Sequence, residues 1–131
     1  MQTKLPAHLA AALDLCNTTW RAKPPGTPNN QGMKQYQGFF WGIGSRLTTF
    51  FNTVIPPNSK QNPWNSCHLG GGIGAAGDSA TCSNATSFHP GGCNYTFADG
   101  SVKFLKETID MKTYWALGTK AGGEILSSDS Y

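Results

Sequence analysis

The chain has 131 residues, of which only 13% are charged, while 16 are Gly and 8 are Pro. This length supports one modest hydrophobic core, and we expect a single domain over residues 1–131. The composition is typical of a loop-rich domain with β-strands and argues against a helical bundle. No apolar run approaches the roughly 20 residues that a membrane-spanning helix needs, so we expect no direct membrane insertion by this chain.

The charges are spread unevenly along the chain. Residues 1–77 hold six basic side chains and one acidic side chain, whereas residues 78–131 hold four basic and six acidic ones. The basic residues are scattered rather than clustered, which argues against a nucleic-acid partner and indicates an ordinary solvated surface. A second interpretation is that the basic part of one copy packs head to tail on the acidic part of another.

The first predicted element is a helix over Leu5–Trp20. Its apolar residues recur at the spacing of one helical face: Leu9, Leu13, Cys16 and Trp20. Residues 23–37 are rich in Pro, Asn and Gln and predict a loop. Residues 38–55 are rich in aromatic and β-branched side chains, which predicts one or two short strands that end at Pro56-Pro57.

Residues 61–88 are rich in Gly, Ser and Asn and predict a long loop, which is unusual in a compact domain unless it is pinned or functional. Within it, Gly72–Gly77 matches the dinucleotide-binding pattern by letter. That pattern requires a preceding strand and a following helix, and the flanking residues suit neither. We therefore expect no cofactor.

Asp99-Gly100 lies between two runs in which aromatic or aliphatic residues alternate with polar ones. This pattern predicts a β-hairpin over residues 93–106, closed by a two-residue type I′ turn. In that register Phe97 pairs with Val102, and only Leu105 breaks the alternation. One buried face would then hold four side chains: Tyr95, Phe97, Val102 and Phe104.

A short helix is predicted after the hairpin. Asp110 can cap its first turn, and Gly118 can end it. Its apolar side would carry Met111, Tyr114 and Trp115.

The chain contains four cysteines: Cys16, Cys67, Cys82 and Cys93. They lack the paired spacing of a structural zinc site, and an even count in turn-rich sequence favours an exported protein with one or two disulfides. Cys67 and Cys82 flank a flexible segment, and closing a loop of that size contributes roughly 3 kcal/mol. We therefore predict a Cys67–Cys82 disulfide, with a buried free thiol as the alternative for Cys93.

Two histidines and several carboxylates are candidates for a catalytic or metal site. Five strand steps separate Asn94 from Asp99, which places Asp99 at the hairpin tip, about 17 Å from Asn94. His89 precedes the opposite end of this strand, so we do not expect His89 and Asp99 to chelate one ion. Both are predicted to be structural turn residues, and no catalytic residue is expected. Two alternatives stay open. One is a metal-dependent hydrolase that uses His68 and His89, and the other is a calcium site built from Asp110, Glu124 or Asp129.

The segment SFHPGGCNYTFADGSVKFLKETID has His89, nine intervening residues and then Asp99-Gly100. It resembles the C-terminal motif of a bacterial family of prepilin-type proteins with a "processing-associated" His-X9-Asp-Gly domain. The downstream YWALGTKAGGEILSSDSY and the upstream IPPNSKQNPWNSC are also similar to that family, so the resemblance covers residues 55–131. Its structural motif residues here are His89, Pro90, Gly91, Gly92, Asn94, Asp99 and Gly100.

The resemblance implies a fold related to type IV pilins and type II secretion pseudopilins. In that family a long N-terminal helix anchors and polymerises the subunits, and a small β-sheet domain faces outward. This chain begins instead with MQTKLPAHLAAALDL, so we expect a soluble portion of a longer protein or a stand-alone relative. The expected fold is α+β: a small antiparallel, loop-rich, pilin-like sheet domain with one or two short helices.

The function implied by the resemblance is structural rather than enzymatic. We expect a pseudopilin-like subunit, located outside the cell, in the periplasm or at the cell surface, that assembles into or associates with extracellular filaments. Its partners would be other copies or other pilin-like subunits. The alternative is an extracellular binding module in which exposed loop aromatics stack on a glycan or another ligand. The aromatics considered for that role are Tyr36, Trp41 and Trp64.

Overall fold

The structure is a computed structural model that describes residues 5–22, 33–34, 42, 44, 49–69 and 80–127. Its described part contains two helices and five strands in two small antiparallel sheets, which confirms the predicted loop-rich α+β class. The chain divides into two compact units. The single domain expected over residues 1–131 stays a prediction. No helix within the described ranges is long and apolar enough to cross a membrane.

The first unit comprises Met1–Phe51 and Trp64–Ser83. Helix α1 spans Ala7–Arg21 and buries Leu13 and Cys16, which confirms the predicted helix. An antiparallel sheet in the order β1-β2-β3 completes the described part of this unit. Its strands are β1 (Met33–Lys34), β2 (Ser66–Leu69) and β3 (Ala80–Ser83).

Strands β2 and β3 lie inside the segment that was predicted to be one long loop, so that prediction is wrong at these residues. Each strand has only four residues and lacks the alternation that marks a half-buried strand. The strands predicted within residues 38–55 do not form at residues 49–55, which are turns and irregular backbone. Most of residues 38–48 lie outside the described ranges.

The second unit comprises Asn52–Pro63 and Asn84–Tyr131. Strands β4 (Gly92–Thr96) and β5 (Val102–Lys106) form the predicted antiparallel hairpin, and helix α2 (Met111–Leu117) follows. The Asp110 side chain caps α2, because its Oδ1 accepts hydrogen bonds from the backbone N–H groups at 112 and 113, at 3.0 and 3.1 Å. The helix ends at Gly118, which confirms both predicted boundaries.

The register of the hairpin differs by one residue from the predicted one, because Thr96, not Phe97, pairs with Val102. The Phe97 N–H donates to the Ser101 carbonyl at 2.8 Å, so the loop between them holds three residues. Gly100 takes a left-handed φ of 82°, whereas Asp99 does not, and a type I′ turn needs positive φ at both positions. The observed arrangement is that of a three-residue loop with a left-handed glycine.

This shift exchanges the two faces of β5, because side chains alternate with period two. Leu105 turns into the core, whereas Val102 and Phe104, predicted to be buried, are 63% and 42% exposed. A hydrophobic cluster in the second unit consists of five buried residues: Cys93, Tyr95, Leu105, Ile109 and Tyr114. Phe97 packs against this cluster and is partly buried.

Candidate functional site

The His-X9-Asp-Gly motif begins and ends in turns on either side of β4. His89 is exposed, and its backbone N–H donates to the Ser87 hydroxyl at 3.1 Å. Asp99 is also exposed, and its Oδ1 accepts from the Ser101 N–H at 2.9 Å. The hydrogen bonds from Ser101 hold the pKa of the Asp99 carboxyl below its ordinary value. The motif is thus a hairpin framework in which the Asp99 carboxylate bonds within its turn, whereas His89 contributes its backbone N–H.

Steric constraints explain why positions 91 and 92 of the motif are glycine. Gly91 takes a left-handed φ of 82°, a conformation that residues with a Cβ rarely adopt. At Gly92 the constraint is space, because a Cβ there would overlap the carbonyl oxygen of Leu105 and lie 2.9 Å from the ring of Phe104. The Phe104 ring therefore covers the backbone of β4 at the first residue of that strand.

Asn58 anchors the chain that leads into the motif. Its Oδ1 accepts from the Ser87 N–H at 2.8 Å and from the Cys93 thiol at 3.6 Å, while its Nδ2 donates to the Gly92 carbonyl at 3.4 Å. Its own N–H donates to the Ala85 carbonyl at 3.0 Å. The Asn58 side chain thus binds both the segment that precedes the hairpin, at Ser87, and the first strand of the hairpin, at Gly92 and Cys93.

Asn58 is also the one described non-glycine residue with a positive φ, at 52°. Asn tolerates this region better than most residues, because its short polar side chain can bond locally. Sequence reasoning missed its role, although the signal was present: Asn58 directly follows Pro56-Pro57. A turn-forming residue after two prolines was the available clue.

The outer face of the hairpin is partly apolar. Val102 and Phe104 lie on it, opposite Thr96 and Asn94. Lys106 shares this face and is exposed. In contrast, Lys103 lies on the other face, where its Nζ sits 5.8 Å from the centre of the Phe97 ring. The outer face of β5 therefore presents Val102, Phe104 and Lys106, at every second position of the strand.

The outer edge of β5 carries backbone groups directed away from β4. The Phe97–Ser101 and Glu107–Gly91 bonds identify the hydrogen-bonded pairs of this ladder, and such pairs alternate with non-hydrogen-bonded pairs. Val102 and Phe104 belong to the non-hydrogen-bonded pairs, so their backbone N–H and C=O groups point away from β4. Within the ranges that the structure describes, β4 is the only strand bonded to β5.

The predicted Cys67–Cys82 disulfide is wrong, because Cys67 is bonded to Cys16, with a Cα–Cα separation of 5.9 Å. Helix α1 brings Cys16 to Cys67 across 51 residues, a proximity that spacing along the chain does not encode. Cys82 and Cys93 are free and buried, as the alternative for Cys93 anticipated. Burial raises the pKa of both thiols, and the charge of Glu107 adds to the effect at Cys93.

The aromatic residues considered for ligand stacking do not form a described site. Trp64 is only 1% exposed, and its Nε1–H donates to the Asn17 Oδ1 at 2.9 Å. A side chain this buried cannot stack on a ligand, so the prediction is wrong for Trp64. Its hydrogen bond instead joins the residues that precede β2 to α1. Tyr36 and Trp41 lie outside the described residues.

The candidate metal ligands are occupied elsewhere or lie beyond the described part. Asp110 caps α2, and the Glu124 Oε2 accepts from the Thr119 hydroxyl at 3.0 Å. Asp129 and the side chain of His68 lie outside the description. Among the residues that are described, no group of three or more His, Cys, Asp or Glu side chains could hold a metal ion.

These features define a small, loop-rich α+β protein that contains an anchored β-hairpin. The chain belongs to the family described as "Protein of unknown function (DUF1559)", SBP_bac_10, whose model matches residues 8–112. The match includes α1, both sheets, the Asn58 loop and the whole His-X9-Asp-Gly motif. Comparisons with curated proteins and with solved structures gave no significant match.

Proposed function

We propose that this protein is a non-catalytic structural subunit of the prepilin type, which associates with further copies of itself outside the cytoplasm. The observation that carries the proposal is the outer edge of β5, where outward-directed backbone groups accompany the exposed side chains of Val102 and Phe104. An open strand edge is a template for pairing with a strand of another chain. The resemblance of residues 55–131 to prepilin-type proteins points in the same direction.

The occupant we propose for this edge is β5 of a second copy, in antiparallel orientation. A register centred on Phe104 pairs all five residues of the strand and sets Val102 against Lys106 and Lys103 against Leu105. No lysine then faces a lysine, whereas a register centred on either Lys103 or Lys106 would place two like charges directly opposite each other. Like charges in that position destabilise a strand pair, which disfavours the Lys103- and Lys106-centred registers. Of the remaining registers, the Phe104-centred one is chosen because it pairs all five residues of β5.

A symmetric contact of this kind joins only two copies, and a filament needs a second contact of a different type. We propose that the second contact uses charge. Residues 1–77 carry a net positive charge and residues 78–131 a net negative one, which suits head-to-tail packing. Added salt should therefore reduce large assemblies to pairs, because salt screens exposed charges more strongly than it weakens strand pairing.

An exported location is part of the proposal. The Cys16–Cys67 disulfide is compatible with a secreted or periplasmic protein, because disulfides persist in oxidising compartments. The extracellular or cell-surface placement comes from the family resemblance. The binding-module alternative loses Trp64 and rests on Tyr36 and Trp41, both outside the described residues.

The experiment is sedimentation equilibrium of the purified protein from micromolar to millimolar concentration. We expect reversible pairing, and we expect Phe104→Lys to weaken it at least tenfold, because two lysines would then face each other at the centre of the contact. The matched control is Thr96→Lys, which adds the same charge to the same face of the hairpin but on β4. It should leave pairing within about twofold of the parent protein.

A monomer at every concentration would overturn the proposal, and so would equal effects of the two lysine substitutions. Circular dichroism and thermal melting check that both variants remain folded. Electron microscopy at low and high salt then tests the second, charge-dependent contact separately from the strand pairing.

A further inference from the structure

Cys67 has two cysteine neighbours rather than one. It is bonded to Cys16, and it is also the directly opposite residue of Cys82 in the β2–β3 ladder. Directly opposite residues of an antiparallel pair point to the same face of the sheet. Cys82 is a free, buried thiol. The disulfide and the thiol therefore share one face of the first unit.

The spacing of β2 and β3 permits a bond between Cys67 and Cys82. Directly opposite residues have Cα atoms about 4.5 or 5.5 Å apart, depending on the type of pair. Disulfides span Cα separations of about 4.4–6.8 Å, a range that includes both values. Cys67 is thus within bonding distance of Cys16 on the helix and of Cys82 on the neighbouring strand.

We propose that these three cysteines form an exchange site, in which the disulfide isomerises between Cys16–Cys67 and Cys67–Cys82. The thiolate of Cys82 attacks the Cys67 sulfur, the new S–S bond forms, and the old one breaks with Cys16 as the leaving thiolate. The proton that Cys82 gives up is balanced by the proton that Cys16 takes. The number of disulfides is unchanged, so no oxidant or reductant is required.

The burial of Cys82 makes this exchange slow in the folded protein. Only the thiolate attacks a disulfide, and burial raises the pKa of the Cys82 thiol. We therefore expect the Cys16–Cys67 form to persist until local opening of the sheet admits water. Conditions that loosen the first unit should promote isomerisation before they unfold it globally.

The exchange would change how α1 is held. In the structure α1 is joined to β2 by the covalent bond and to Trp64 by the hydrogen bond with Asn17. After isomerisation only noncovalent contacts would hold the helix, while β2 and β3 would be covalently linked. The three cysteines would thus act as a device that releases the N-terminal helix from the sheet. This inference does not depend on the proposed self-association.

Trypsin separates the two forms cleanly. It cleaves after Lys and Arg, which places Cys16 in peptide 5–21 and the other three cysteines together in peptide 61–103. In the Cys16–Cys67 form the two peptides remain cross-linked without reductant. In the Cys67–Cys82 form peptide 5–21 carries a free thiol, and peptide 61–103 is internally linked. Alkylation with N-ethylmaleimide before digestion, followed by mass spectrometry, counts both forms.

The protein is incubated near pH 8.5 in denaturant below its unfolding transition, and the alkylated fraction of Cys16 is measured. We expect it to exceed that of Cys82→Ser at least threefold, because Cys82 is the attacking group. Cys93→Ser is the matched control and should behave like the parent protein. Cleavage before Asp78, which separates Cys67 from Cys82, identifies the new bond.

A second variant, Cys16→Ser, tests the geometry directly. Oxidised with glutathione disulfide, it should form the Cys67–Cys82 bond, with tryptophan fluorescence and circular dichroism confirming the fold. Equal labelling of Cys16 in the parent protein and in Cys82→Ser would overturn the proposal. Failure of folded Cys16→Ser to link Cys67 to Cys82 would overturn it as well.

Discussion

The hydroxyl oxygens of Tyr95 and Tyr114 lie 3.0 Å apart in the core of the second unit, and their rings meet edge to face at an angle of 82°. Both residues are buried. Burial raises the pKa of Tyr114 to about 12, and it raises that of Tyr95 further, with the hydrogen bond to Tyr114 as the second cause. The pair joins β4 to α2, and burial favours the protonated form of both phenols.

Stability should therefore fall at high pH. A tyrosine in the unfolded chain ionises near pH 10, whereas these two ionise at higher pH in the folded protein. Their contribution is complete below about pH 10 and is lost as the pH rises through the raised pKa values, about 12 for Tyr114. Urea unfolding at pH 8 to 11.5 measures the effect.

The control for this prediction is the double variant Tyr95→Phe/Tyr114→Phe, which retains every lysine and so isolates the phenols. Its unfolding free energy should depend less on pH than that of the parent protein. Single substitutions should cost about 1–2 kcal/mol at pH 7, because each leaves a buried hydroxyl without this partner. Identical pH profiles for the parent and the double variant would contradict the assignment.

Asn58→Ala should destabilise the second unit by about 2–3 kcal/mol. The substitution removes the acceptor for Ser87 and Cys93 and the donor to Gly92, and it leaves a Cβ residue at positive φ. Asn58→Gly should recover part of the loss, because glycine relieves the backbone strain without restoring the hydrogen bonds. Urea unfolding is the measurement, with exposed Asn94→Ala as a control expected within about 0.5 kcal/mol of the parent. Equal stabilities of Asn58→Ala and the control would show that Asn58 is not the anchor.

The hairpin register can be checked by nuclear magnetic resonance. In the non-hydrogen-bonded pairs of an antiparallel ladder the Cα atoms lie closest together. Strong nuclear Overhauser contacts between Hα atoms should therefore join Thr96 to Val102 and Asn94 to Phe104. The register with a two-residue turn would instead bring Phe97 opposite Val102. Contacts that fit the pairing of Phe97 with Val102 would contradict the exposure of Val102 and Phe104, and with it the proposed contact between copies.

The sequence predicted the local features well, because their causes are local. The spacing of Leu13 and Cys16 indicated α1, and the Asp110 and Gly118 boundaries of α2 follow from capping chemistry. The hairpin was also predicted, but its register depends on whether Asp99 adopts a positive φ. The dipeptide permits a two-residue and a three-residue loop, and Leu105, the residue that broke the predicted alternation, marked the correct choice.

Long-range features could not be derived in the same way. The partner of Cys67 depends on where α1 packs, and four cysteines allow three connectivities. Strands β2 and β3 are short and lack alternation, so their pairing follows from the tertiary structure rather than from propensity. Trp64 could be a core residue or a ligand-stacking one by its sequence alone, and its burial with an indole hydrogen bond to Asn17 depends on the packing of α1.

The reach of Asn58 along the chain has a consequence for the order of folding. Its side-chain partners lie 29 to 35 residues away, whereas the β4–β5 hairpin closes over a three-residue loop. Short loops close first because the loss of chain entropy grows with loop length. We therefore expect the hairpin to form early and the loop that carries Asn58 to dock on it late. Substitutions at Asn58 should accelerate unfolding while leaving the folding rate almost unchanged.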